Sequence, residues 1–263
     1  MALVPARAES LPRWEAGAGL TGLHFPDYRG SDQGRYFLLP FPFLVYRGDV
    51  VKVDRDGARA RLLGTDRVEF DLSGGGSVPV HSSSNRARAG MPDLQPTLEL
   101  GVVTQVHLWR GETGKVDVRV PVRRALAYSA GIIDAGTVAE VQLTYDHRLH
   151  WEHGGGEGNL GLLIGPVFAD RRQNAYFYGV AAPYATAHRP AYQPGGGYGG
   201  WEAIGALSRR TGSWWFAGFV RYDHLGGAAF ADSPLVLRRS QVAGGIGVAW
   251  VFAMSRERVE AAQ

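Results

Sequence analysis

Residues 97–123 read TLELGVVTQVHLWRGETGKVDVRVPVR, and this stretch decides the fold. Leu98, Leu100, Val102, Val106 and Leu108 alternate with Glu99, Gly101, Gln105 and His107. Further on, Val116, Val118, Val120 and Val122 alternate with Lys115, Asp117, Arg119 and Arg123. Successive side chains of a strand point to opposite faces, so each run has one apolar and one polar face. Between them Arg110-Gly111-Glu112-Thr113-Gly114 makes a tight turn, and the pair is a hairpin.

The same pattern recurs outward in both directions. Val68, Phe70 and Leu72 alternate with Glu69 and Asp71; Ala139, Val141, Leu143 and Tyr145 with Glu140, Gln142, Thr144 and Asp146. Trp214, Phe216, Val220 and Tyr222 alternate with Ala217, Arg221 and Asp223. The spacing predicts strands near 13–25, 35–46, 50–63, 67–80, 96–109, 115–129, 138–151, 158–169, 198–209, 213–225 and 238–252. Many antiparallel strands joined by hairpins need their edges closed, which points to a barrel. Bacterial single-chain membrane barrels have an even strand number, so eleven runs mean that one is missed or split. Twelve strands is the preferred count and ten the alternative. The missing strand is expected in 170–197, where Tyr176-Phe177-Tyr178-Gly179-Val180 has strand-like residues, or in 73–95.

Composition removes several classes. There is no Cys, so no disulfide framework, thiolate nucleophile or Cys-ligated metal. A net charge of +3 does not argue for nucleic acid. The 37 glycines, roughly twice the usual share, lack a G-X-Y period and P-loop or dinucleotide spacing. No apolar run reaches the ~18 residues of a membrane helix.

Alternation alone is blind to which face is inside. A soluble barrel turns its apolar face inward; a membrane barrel turns it toward lipid. Three features favour the membrane. The runs of about 10–15 residues suit a tilted crossing better than a globular strand. Trp14, Tyr36, Tyr46, Trp109, Tyr128, Trp151, Trp201, Trp214, Tyr222 and Trp250 sit near strand ends, where aromatic girdles meet the bilayer interfaces. The last strand ends on an aromatic, Phe252. The reading is an all-β, antiparallel, up-and-down transmembrane barrel over 13–252, in contact with membrane lipid. Residues 1–12 read as a tail, with Ala6-Arg7-Ala8 either the remnant of an export signal or an ordinary terminus. Residues 253–263 read as a polar tail, a short helix or a frayed end.

With the apolar face outside, Glu99, Asp117, Arg119, Arg123, Glu140, Arg221 and Asp223 line the lumen. Both signs are present. They form either an ion-pair network that fills the barrel or a polar lining that passes or binds small solutes. His147, His150 and His153 end a strand beside Glu152; their spacing suits a solvated rim better than a metal site, so neither metal nor cofactor is expected. There is no Gly-x-Ser-x-Gly elbow, and Asp223-His224 with a distant Ser is chance-level, so no catalytic residues are assigned. Pro26, Asp27, Tyr28, Gly30, Ser31 and Asp32 form a distinctive turn-rich segment, either a rigid connection or a partner-binding loop.

Three stretches carry a resemblance. Pro26-Asp27-Tyr28-Arg29-Gly30-Ser31-Asp32 with Leu39-Pro40-Phe41-Pro42 resembles a signature of the MipA/OmpV family. Tyr176-Phe177-Tyr178-Gly179-Val180 and the Tyr192–Gly197 stretch resemble its central block. Ser233-Pro234-Leu235-Val236, Arg238-Arg239-Ser240-Gln241 and the glycine-alternating run to Phe252 resemble its C-terminal block. The ordered set spans residues 14–252. The resemblance implies an exported barrel of the Gram-negative outer membrane with no established enzymatic activity. It also implies a scaffold role between murein hydrolase and synthase, or toward other envelope proteins; a small-solute channel or ligand-binding barrel is the alternative. Two departures are the residues after Phe252 and the Asp- and Arg-rich 50–66 region.

Overall fold

The computed structural model describes residues 10–47, 51–54, 57–65, 67–151 and 156–260. In chain order the strands are β1 (Ser10–Pro12), β2 (Trp14–Pro26), β3 (Gly34–Arg47), β4 (Val51–Asp54), β5 (Gly57–Gly64), β6 (Val68–Ser77), β7 (Thr97–Arg110) and β8 (Gly114–Tyr128). They continue as β9 (Ile132–Glu140), β10 (Gln142–His150), β11 (Glu157–Ala169), β12 (Gly197–Thr211), β13 (Trp214–His224), β14 (Ser240–Met254) and β15 (Arg258–Glu260), with helix α1 at Arg171–Tyr178.

Thirteen of these segments make one antiparallel sheet that returns on itself where β14 pairs with β2. Segments β9 and β10 lie end to end, both between β8 and β11. The β7–β8 hairpin is as expected, paired from Thr97↔Ala127 to Arg110↔Lys115 with one register shift near His107.

The faces divide as in a membrane barrel. Leu98, Leu100, Val102 and Val122 are exposed on the outside, while Glu99, Val103, Gln105 and Asp117 turn inward. Exposed Trp14, Tyr46, Trp109, Trp214 and Trp250 ring one end, and Tyr36 and Tyr128 mark the other. Such girdles belong at the two bilayer interfaces. No helix among the described residues is long and apolar enough to cross a membrane; the strands cross instead.

Three expectations are corrected. Residues 170–196 hold no extra strand. Asp170 accepts from the backbone N–H of Gln173 at 2.7 Å and caps helix α1, which carries Tyr176, Phe177 and Tyr178. Residues 78–96 form short 3₁₀ turns. The segment missed lies in 50–63, which is two strands, β4 and β5. Nor do the described residues after Phe252 form a helix or a frayed end: β14 runs on to Met254, and β15 pairs with β1.

The connections are unequal. One end of the barrel has short turns and both chain ends. The other carries 27–33, 78–96, 170–196 and 225–239. These four pack on one another around a core of Tyr28, Val80, Met91, Leu94, Tyr178, Val180, Leu225, Phe230 and Leu235. The barrel thus wears a cap with an interior of its own.

Candidate functional site: the charged lumen and its cap

The expected lumen residues lie on the inward faces of their strands, and β-pairing sorts them into separate groups. Arg123 on β8 lies between Glu99 on β7, at 3.0 Å, and Glu140 on β9, whose other carboxylate oxygen accepts from Gln142. Asp117 is 1% exposed; it accepts from Gln105 at 2.9 Å and sits 2.7 Å from His107 Nδ1. Higher up, Asp223 accepts from Arg221 at 2.9 Å and from Arg29 at 2.9 Å, with Glu202 3.5 Å from Arg221. Toward the turn end Glu15 bridges Arg47 and Arg210. A charge out of water is tolerated when it is paired and hydrogen-bonded, and these carboxylates meet guanidinium, amide or imidazole groups at close range.

A cavity of about 150 Å³ remains beside this network, lined by Gln105, Lys115, Asp117, Arg119, Thr144 and Asp146 on one side and Leu163 and Ile204 on the other. Arg119 lies here, apart from the Arg123 cluster. The lumen is therefore sided. Most of the charges come from strands β6 to β12, with Glu15, Arg47, Arg221 and Asp223 added by β2, β3 and β13. Strands β2, β3, β13 and β14 bring Phe41, Phe43, Val45, Trp215, Ala249 and Val251, with Phe43 and Trp215 rings 5.4 Å apart. A Cβ on inward Gly19 would fall 2.5 Å from the Phe41 ring, so glycine there lets that ring lie against the wall.

The distinctive motif after β2 is the hub of the cap. Asp27 accepts from Arg35 Nε at 2.8 Å and from Asn85 Nδ2 at 2.8 Å. Ser31 Oγ accepts from the same amide at 3.2 Å. The Tyr28 hydroxyl donates to the Leu235 carbonyl at 2.9 Å, and burial pushes its pKa up to about 12. Gly30 has φ +97°, the left-handed region that favours glycine; its N–H donates to Gln241 and its carbonyl accepts from Leu237 and Arg238. Asp32 pairs with Arg86, and Pro26 closes β2. Asp27, Ser31 and Asp32 hold the 78–96 loop, and Tyr28 and Gly30 hold 225–239.

Tyr178 from α1 stacks on Phe230 at 3.7 Å and 5°, and burial raises its pKa as well. Arg88 donates to the Phe177 carbonyl, and Arg189 to the carbonyls of Ala87 and Ala89. Guanidinium groups thus satisfy loop carbonyls that no strand can reach.

His147 and His150 do not converge. His147 and His150 are three apart on β10, so they face opposite sides of the sheet; His147 packs on Tyr145. His153 lies outside the described residues. No group of three potential metal ligands occurs among the described residues. Arg29, Glu202, Gln105 and the Glu15–Arg47–Arg210 set were not singled out from sequence. Their parity within strands was available, but their partners were not.

A family model for the MltA-interacting protein MipA matches residues 17–252. The chain is 25% identical over 214 residues to outer membrane protein OmpV of Vibrio cholerae, covering 79% of this chain and 76% of that protein. Among solved structures it is similar to an outer membrane channel from Pseudomonas putida F1, with TM-score 0.46, 11% identity, 95% of this chain and 100% of the other. A second is a bacterial polysaccharide outer membrane secretin, with TM-score 0.40, 8% identity, 91% of this chain and 99% of that one. An antiparallel barrel with lipid-facing apolar side chains, aromatic girdles and a family match over nearly its whole length is a barrel of the Gram-negative outer membrane, and this chain belongs to the MipA family.

Proposed function

We propose that this barrel is a non-enzymatic interaction protein of the envelope rather than an open pore. One observation carries the reading: inward charges such as Arg123 with Glu99 and Arg221 with Asp223 are paired with one another, and the loops at one end pack around a core of their own. A conducting lumen needs charges free to meet ions and a mouth open at both ends. The family name, MltA-interacting protein, supports a periplasmic murein-processing partner. Outer-membrane barrels keep short turns in the periplasm and long loops outside, so the contact surface is the turn end. There β1 and β15 pair, and Arg13 meets Glu257 at 2.7 Å.

The test has two arms. The purified barrel in planar bilayers is expected to be electrically silent. The same protein is expected to retain an MltA-type murein hydrolase in pull-down, and to lose it when the turn-end segments are replaced together. Steady conductance that changes with Arg119→Glu would overturn the reading. It would favour the small-solute barrel that the cavity beside Arg119 supports.

A further inference from the structure

Among the described residues, the ladder of the barrel wall is not continuous all the way round. Strand β3 pairs with β4 only at Tyr46↔Val53 and Arg47↔Lys52. Strand β5 pairs with β6 only from Arg61↔Asp71 to Gly64↔Glu69. Among the described residues, the rest of that edge of β3, residues 34–45, and the β6 edge over 72–77 have no strand partner. The short hairpin β4–β5 closes the turn-end part of this seam. Arg35 closes its loop end, donating to the Pro79 carbonyl at 3.2 Å. Outward Tyr36 and Tyr46 mark the two interfaces on β3, so the open length lies within the hydrocarbon band.

An open sheet edge in lipid is normally forbidden, because its N–H and C=O groups find no partner. Here the sequence blunts it. Pro40 and Pro42 share one phase of the ladder, so both absent N–H groups fall on one edge. Pairing of β3 with β2 runs without a break from Pro26↔Gly34 to Trp14↔Tyr46. That ladder needs the N–H groups of the odd-numbered residues, so the proline nitrogens face the seam. Proline on an edge also discourages strand addition, which argues against a partner strand as the occupant.

The two jambs differ. Behind β3 stand inward Phe37, Leu39 and Phe41. Leu39 is 46% exposed although it faces inward, against 7% for Phe43 on the same face. Behind β6, the glycine run 74–76 leaves Glu99 and Arg123 close to the edge: a Cβ on Gly75 would fall 2.9 Å from the Glu99 carboxylate and 3.3 Å from Arg123 Nε. One jamb suits hydrocarbon and the other a polar group.

We infer that the β3–β6 seam is a lateral window through which the hydrocarbon chain of a membrane amphiphile reaches the lumen, its polar head toward Glu99 and Arg123. The inference is independent of the partner proposed above. It would hold whether or not a murein hydrolase binds.

The absence of cysteine makes the test direct. Single variants Leu39→Cys, Phe37→Cys, outward Leu38→Cys and Ala206→Cys carry a bimane label in vesicles of phosphatidylcholine brominated on its acyl chains. Ala206 is inward on a strand paired on both sides. Correct folding is checked by heat-modifiable migration, and Phe37→Cys serves if Leu39→Cys does not assemble. The expected result is acyl-chain quenching at Leu39 or Phe37 comparable to Leu38 and several-fold above Ala206. Quenching no greater than at Ala206 overturns the window. If aqueous iodide quenches instead, the seam is only wet; if neither quencher reaches it, protein covers it. Either outcome also overturns the inference.

Discussion

The membrane band and the loop cap of this barrel bury their side chains by opposite rules. In the band, Leu98, Leu100 and Val102 face outward and Glu99, Gln105 and Asp117 face inward. In the cap, Tyr28, Leu225, Phe230 and Leu235 are inside, as in any water-soluble core, and Arg86, Arg171 and His188 are outside. The solvent explains the difference. Lipid gives apolar groups no reason to leave it, so the band satisfies its polar groups inside. Water around the loops restores the hydrophobic drive, and the loops collapse on themselves. The chain changes rule within a few residues, at Asp27 and Asp223, where strand ends meet cap.

The largest expected effect tests whether the cap is a core in its own right. Phe230→Ala removes a ring that is 2% exposed and stacked on Tyr178, and should cost the cap about 4 kcal/mol. Proteolysis of 170–196 should rise sharply while the barrel still migrates as folded in cold detergent gels. Loss of the barrel as well would mean that cap and band are one unit.

Next in size is a charge on the wrong face of the band. Val102→Lys, at the middle of β7 and outward, should destabilise the barrel by about 3 kcal/mol in urea titrations from lipid vesicles. An equal cost at exposed cap position Arg171→Glu would erase the distinction drawn here.

The smallest effect sharpens the cap's polar hub. Tyr28→Phe deletes one buried hydrogen bond to Leu235, worth about 1 kcal/mol. It should also change the alkaline response. Burial raises the Tyr28 pKa to about 12 from the usual ~10, so its contribution is complete below pH ~10 and is lost as pH rises through about 12. Protease access to the cap should grow across that window. The growth should be smaller in Tyr28→Phe, with the remainder due to Tyr178, which burial shifts in the same direction.

Much of the band was legible because a period of two is a local property. Glu99, Asp117, Arg119, Arg123, Glu140, Arg221 and Asp223 could be assigned to one face from their neighbours alone, and all lie on it. The aromatic ends of the strands marked the interfaces for the same reason. Helix α1 was not legible as a helix. Tyr176, Phe177 and Tyr178 have strand propensity, and the Asp170 cap with the stacking on Phe230 overrides it. The two short strands within 50–63 were read as one, although the alternation changes phase between Val51 and Val53 on the one side and Ala58 and Ala60 on the other.

What the sequence determined by itself is therefore the strand pattern, the sidedness of each strand, the absence of cysteine chemistry and the family. Each depends on residue type and near spacing. The tertiary structure alone decided which charges meet. Arg29 and Asp223 stand 194 residues apart, and no local rule pairs them. It also decided that four loops share a core, and that, among the described residues, one edge of β3 is left without a strand partner over most of its length. Pro40 and Pro42 were visible from the start, but an edge exists only when the neighbouring strand stops short.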